Sequence, residues 1–137
     1  MAVAPNQIRA VVAVVVLGDR VLAMRRSKRA EAAPGAWETL SGRLEPGETE
    51  LEAVRREISE ESGLEVIVER EPVDAYDGER RGMPMRVTVF RAEWLAGDVR
   101  PSAEHDEWRW VTAEEFASLT EFPRLAEAVV RAMAKRK

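Results

Sequence analysis

Apolar residues run almost unbroken through the first part of the chain, and this predicts a buried strand from Gln7 to Leu17. Gly18-Asp19 reads as a two-residue turn into a second strand, Arg20–Arg26, the pattern of a hairpin. A polar loop is expected from Ser27 to Ala36, a short strand from Trp37 to Leu40, and a second loop from Ser41 to Thr49. The period then changes: Leu51, Val54 and Ile58 recur at helical spacing, so a helix is expected from about Glu48 to Ser62, with Gly63 as its C′ stop. Strand character returns over Leu64–Arg70 and again over Val73–Tyr76. Asp77–Pro84 reads as a turn or flexible loop, and Met85–Trp94 as a strand, at an edge or in the middle of a sheet. A long loop, Leu95–Glu107, leads to a short strand, Trp108–Val111. Thr112 and Glu115 form a capping box for a short helix, and Pro123 begins a final amphipathic helix reaching Lys135. Strands mixed with helices predict an α/β sheet covered on both faces.

Composition narrows the class without changing the elements. A chain of 137 residues suits one domain around one core, and 45% apolar with 34% charged residues is the composition of a folded globule. The longest apolar run, Ala10–Leu17, is too short to span a bilayer, and no basic segment precedes it as in a signal peptide, so no membrane partner is expected. The chain has no cysteine, which excludes disulfides, a thiol nucleophile and thiolate metal sites, and fits a cytoplasmic location. A net charge of −4 argues against a nucleic-acid partner held through backbone phosphates.

One stretch, "RREISEESG" from Arg55 to Gly63, breaks two rules at once. It places Glu57, Glu60 and Glu61 at a helix C-terminus, where the macrodipole is already negative, at spacings where like charges repel. At 100° per residue the three lie within about a third of the circumference, beside Leu51, Val54 and Ile58. Carboxylates held at the edge of a buried face suit a hard divalent cation, Mg²⁺ or Mn²⁺. The alternative is a solvated acidic face with Arg56 and Glu60 as an ordinary i,i+4 pair.

From Gly42 to Leu64 the chain reads "GRLEPGETELEAVRREISEESGL" and matches G-x5-E-x7-R-E-U-x-E-E-x-G-U, with U apolar, at every specified position. It resembles the Nudix box of the Nudix hydrolases, and the resemblance implies an α/β/α sandwich with a mixed sheet between helices, residues 1–137 forming one domain. Glu57, Glu60 and Glu61 become metal-binding and catalytic acids. Arg56 becomes their orienting partner through a salt bridge, with Glu48 as the expected mate, and Gly42 lets the backbone approach the metal. Ser41 stands where relatives carry a glycine whose carbonyl ligates the metal, and Leu40 where they often carry proline.

The reaction implied is attack of water on a phosphorus of a nucleoside diphosphate derivative, with the metal activating the water and a carboxylate taking its proton. A nucleoside triphosphate, cleaved in a nucleotide-sanitising role, is the expected substrate. A dinucleoside polyphosphate or ADP-ribose is the alternative, and a nucleotide sensor without catalysis is the alternative of another class. Isopentenyl diphosphate isomerase shares the fold but uses a cysteine. Glu107 is expected to act as a late catalytic acid, with Glu104 as the other choice. Arg26, at a strand end, is expected to hold a substrate phosphate, whereas Arg25, Lys28 and Arg29 read as a solvated basic loop. Trp37, Tyr76 and Trp108 are candidates to stack on a base, or else core residues. His105, the single histidine, is expected to face solvent. A homodimer is left open.

Overall fold

The computed structural model describes residues 7–134. The chain runs β1 (Ile8–Leu17), β2 (Arg20–Arg26), β3 (Trp37–Glu38), β4 (Leu40–Arg43), α1 (Glu50–Ser62), β5 (Glu65–Val68), β6 (Asp74–Arg80), β7 (Met83–Ala96), β8 (His105–Val111), α2 (Ala113–Leu119) and α3 (Pro123–Ala134). The strands form one mixed sheet, in which β1 and β7 pair in parallel and the other pairs are antiparallel.

One edge of β1 is shared. Val16 and Leu17 pair with Val21 and Arg20 across the hairpin turn, where Gly18 takes φ 62°. Further back, Ala10–Ala13 pair with Arg43–Leu40 of β4. The sheet therefore opens where β2 diverges from β1 and β4 enters, and the candidate site forms there.

Side-chain alternation along β1 explains the three layers. Val11, Ala13 and Val15 pack with Leu22, Met24, Leu40, Val54 and Ile58, which places α1 on one face. Val12, Val14 and Val16 pack with Val87, Val89, Phe116, Leu125 and Val129, which places α2 and α3 on the other. A strand sandwiched this way is apolar on both sides, hence its near-continuous run of valine. The expected α/β fold, with a mixed sheet between helices, is present.

Three expectations need correction, and one question the sequence leaves open, the place of β7, is answered. Asp77–Pro84 is not a loop: β6 and β7 form a hairpin through Arg81 (φ 52°) and Gly82 (φ 79°), two positive-φ residues that suit a tight hairpin turn. The strand expected at Trp37–Leu40 is two strands, because the partner changes from β2 to β1 at Thr39; Ser41 and Gly42 thus belong to β4 rather than to a loop. β8 begins at His105, three residues earlier than expected, in register with β2. β7 lies inside the sheet, with β1 on one edge and β5 and β6 on the other. The final helix is described to Ala134; Lys135 lies outside the described residues.

Candidate active site

Helix α1 delivers the acids. Thr49 caps it reciprocally with Glu52, and Gly63 ends it in the left-handed conformation (φ 70°), so its register is fixed at both ends. Ala53, Val54 and Ile58 are buried against the sheet, which holds the adjoining face of the helix over β4. On that face Glu57 is 8% and Glu61 2% exposed, and the two share a hydrogen bond. Ser41 N–H in β4 donates to Glu61 Oε1 at 3.1 Å. Ser41 is not a positive-φ residue, so serine costs nothing in backbone strain there.

Gly42 sits opposite Glu57. A Cβ on Gly42 would meet both carboxylate oxygens of Glu57, at 2.0 and 2.7 Å. Glycine suits this position because a carboxylate comes this close to the backbone.

Burial and the charges of Glu57 and Glu104 push the Glu61 carboxyl up to about 10. Burial also raises Glu57, against the opposing pull of its hydrogen bonds to Glu61 and Arg56. Two carboxylates this close cannot both ionise easily without a cation. Arg56 supplies charge from the other side. Its Nε and Nη2 donate to the two oxygens of Glu48 at 2.6 and 2.9 Å, and its Nη1 donates to Glu57 Oε2 at 2.7 Å. Glu48 in turn accepts the Glu45 N–H at 2.9 Å, and its carboxyl falls to about 2, chiefly through Arg56. This is the Arg56–Glu48 bridge expected from the sequence.

The acids of the box do not converge as a trio. The Glu60 side chain is 58% exposed, outside the buried pair, and accepts from Arg56 Nη1 at 3.3 Å. Among the described residues no three acidic or imidazole side chains stand together as a finished ligand set. What converges is Glu57 and Glu61, with the charge of Glu104 acting on Glu61. All-oxygen donors with surplus negative charge fit a hard divalent cation.

These residues open onto a cavity of about 770 Å³. Its acidic end includes Glu57, Glu61 and Glu104, and its lining also includes Arg26, Glu38, Arg80 and Arg124. Tyr76, Met85, Val87, Phe122 and Leu125 give it apolar wall. The Arg124 guanidinium covers one part of the Tyr76 ring, 4.5 Å from its centroid, and is itself held by Asp74 at 3.1 and 3.2 Å.

The late acids are the reverse of the expectation. Glu104 lines the cavity; Glu107 does not. Glu107 pairs in register with Arg25 and is held by Arg25 at 3.1 Å and by Arg109 Nη2 at 3.1 Å; the β2–β8 register shifts only beyond it, between Arg25 and Arg26. Arg25 is accordingly not part of a solvated basic loop, although Lys28 and Arg29 are exposed. Arg26 does line the cavity, and two of its donors are committed: Nε to Ala32 O at 2.7 Å and Nη1 to Glu38 Oε2 at 3.1 Å. His105 is 4% exposed rather than solvent-facing, and its Nε2 meets Glu38 Oε2 at 2.8 Å. Of the three aromatic candidates only Tyr76 lines the cavity. Trp37 is buried beneath the Arg109 guanidinium, and Trp108 is 42% exposed, away from the cavity. The sequence reading missed Glu38, Thr39 and Arg124; none stands in a motif, and only the sheet brings them together.

The family model described as NUDIX domain matches residues 7–132. Over 109 residues the chain is 38% identical to human 8-oxo-dGDP phosphatase NUDT18, a match covering 75% of this chain and 32% of that protein. The chain thus spans about a third of that relative's length. It is 37% identical over 92 residues to nucleoside triphosphatase NudI of Klebsiella pneumoniae, covering 60% of this chain and 65% of that one. The crystal structure of a MutT protein from Methanosarcina mazei Go1 superposes with a TM-score of 0.82 at 25% identity, covering 99% of both chains.

Proposed function

Because this chain belongs to the Nudix family, we propose that it hydrolyses a pyrophosphate bond in a nucleoside diphosphate derivative, a nucleoside triphosphate first of all. The observation that carries this reading is the buried Glu57–Glu61 pair opening onto a cavity of about 770 Å³, a size suited to a small ligand such as a nucleotide. The names of NUDT18 and NudI support a nucleotide-sanitising role. We take residues 1–137 as one such domain and place it in the cytoplasm, which the lack of cysteine supports.

Glu57 and Glu61 would hold Mg²⁺, or Mn²⁺ in its place, with the Ser41 carbonyl as a further oxygen. Glu60 would join them by leaving Arg56. A bound divalent ion polarises phosphoryl oxygens and lowers the pKa of a water. The chain's own residues do the rest. Arg56, anchored on Glu48, holds Glu57 in place. Glu104, on the cavity wall, replaces Glu107 as the acid that takes the proton of the attacking water. Arg26 keeps Nη2 for a phosphate oxygen. The apolar wall around Tyr76 and Phe122 takes the base and excludes water from it.

Release of phosphate or pyrophosphate from a panel of ordinary and oxidised nucleoside triphosphates, a dinucleoside polyphosphate and ADP-ribose tests this reading, with and without Mg²⁺. Metal-dependent turnover of at least one triphosphate is the expected result. No turnover of any of them with any divalent metal would refute it.

A further inference from the structure

His105 and Glu38 lie 67 residues apart and belong to β8 and β3, which flank β2 on opposite edges. Their side chains meet across the end of β2, where Arg26 joins them. Two features of this cluster point to a purpose beyond holding strands together.

The first is where the bonds land. His105 Nε2, at 2.8 Å, and Arg26 Nη1, at 3.1 Å, both meet Oε2 of Glu38. Oε1 receives no hydrogen bond from the described residues, yet it is not among the buried atoms left without a partner. Glu38 lines the cavity, so Oε1 is the oxygen left for a ligand. The second feature is the other side of the ring. Among the described residues, buried His105 Nδ1 has no partner. A proton there would be an unsatisfied buried donor, so the proton belongs on Nε2 and the ring donates to Glu38.

We propose that His105 is a positioning residue for nucleotide recognition. With Arg26 it fixes Oε2 of Glu38, so that Oε1 faces the cavity as an acceptor for an N–H or O–H donor of the nucleoside. This rests on the reading of the cavity as a nucleotide site. A carboxylate fixed in this way accepts and cannot donate, so a nucleoside lacking the matching donor leaves it unpaired and is rejected. A carboxylate free to rotate would discriminate less. A histidine that merely tied β8 to β3 would have no such effect on ligands.

Calorimetric titration of the full chain with deoxyguanosine monophosphate and, separately, with inorganic pyrophosphate tests the assignment. His105→Phe keeps a ring but no donor; it is expected to weaken the nucleotide roughly tenfold, the size of one hydrogen bond to a charged group, and to leave pyrophosphate unchanged. His105→Gln restores a donor and is expected to bind within about threefold of wild type. If His105→Phe does not fold, His105→Asn, too short to reach Glu38, takes its place. Glu38→Gln should weaken the nucleotide as His105→Phe does, with no further loss in the double variant. Deoxyinosine monophosphate lacks the exocyclic amine and the 2′,3′-dideoxy nucleotide lacks the 3′-hydroxyl. The group whose removal costs affinity in wild type but not in Glu38→Gln is the donor.

Equal weakening of nucleotide and pyrophosphate, no change in His105→Phe, or no donor found on base or sugar would each overturn the proposal while leaving the hydrolase reading standing. A wild-type protein that binds pyrophosphate but not deoxyguanosine monophosphate would also overturn the proposal; only an absence of turnover across the nucleotide panel would overturn the hydrolase reading as well.

Discussion

The carboxylate of Glu57 lies against the backbone of Gly42, so close that a methyl group there would stand 2.0 Å from Oε2. The obstructing atoms are the far end of a side chain, so the fold can yield by turning Glu57 away. Gly42→Ala should therefore separate stability from activity. The melting temperature should shift by no more than about 5 °C, while turnover falls by two orders of magnitude or more, because a displacement of about 1 Å at a reacting site costs roughly that much. An active Gly42→Ala enzyme would show that the position of Glu57 does not matter.

Glu57 and Glu61 are close and buried; Arg56 bonds Glu57, but no basic residue lies in the last turn of α1. Replacing either carboxyl by an amide removes an acid that the fold must hold above its ordinary pKa, and should leave the metal-free protein as stable as wild type or more so. Mg²⁺ should raise the wild-type melting temperature by binding the folded state. Glu57→Gln and Glu61→Gln should lose most of that rise and most turnover. A wild-type melt indifferent to millimolar Mg²⁺, with both variants active, would identify the pair as an ordinary acidic face.

The pH dependence has a definite sign. Glu61 ionises near the ordinary 4.5 in the unfolded chain and near 10 in the fold. Between these values the fold keeps a proton that the unfolded chain has released. The stability Glu61 contributes is complete below pH 4.5 and is lost as pH rises toward 10, by at most about 1.4 kcal/mol per unit. Glu48 acts oppositely: its folded value of about 2 means its contribution is present above pH 4.5 and lost in acid. Metal-free melts from pH 5 to 9 should fall steadily for wild type and less steeply for Glu61→Gln. Parallel curves would remove Glu61 as the cause.

Arg56 makes two bonds to Glu48 and one to Glu57. Lysine carries the same charge but lacks the planar fork. Arg56→Lys is expected to lower kcat at least tenfold, with KM changed by less than threefold, since the bridge positions an acid rather than holding the substrate. A loss confined to KM would place Arg56 on the substrate.

Glu104 and Glu107 stand three residues apart and face different surroundings. Glu104→Gln should cost a hundredfold or more in kcat, within the range of a general base. Glu107→Gln loses only surface pairing with Arg25 and Arg109, and should stay within about twofold. Equal small losses would place the base among Glu57, Glu60 and Glu61.

The elements read correctly from sequence are those whose signal is local. The β1–β2 hairpin announced itself through its valine run and Gly18-Asp19, and α1 through its apolar stripe and Gly63. The Arg56–Glu48 bridge is expected only because the resemblance to the Nudix box implies it. What stayed hidden depends on distant partners. The second half of β6, Asp77–Arg80, carries Asp, Gly, Glu and Arg, all exposed, so neither apolar alternation nor strand propensity marked it; its ladder with β7 makes it a strand. His105 has Glu104, Asp106 and Glu107 as neighbours and so reads as wet, yet β3 buries it from across the sheet. Glu104 lines the cavity and Glu107 does not because β8 pairs with β2 over His105–Val111, a pairing of distant segments that a sequence does not display.

Strand β7 is 14 residues long and serves two neighbours in succession along one edge. Its Ala92–Ala96 part pairs with β5, which follows directly from α1, and its Met83–Val89 part pairs with β6, which supplies Tyr76 to Arg80 to the cavity wall. The strand that leaves the acid-bearing helix and the strand that walls one side of the cavity thus hang from separate lengths of β7. A longer or shorter turn at Arg81-Gly82 reshapes the rim without disturbing the helix that carries the acids. The hairpin is a separable panel of the cavity wall, open to remodelling while α1 keeps its place.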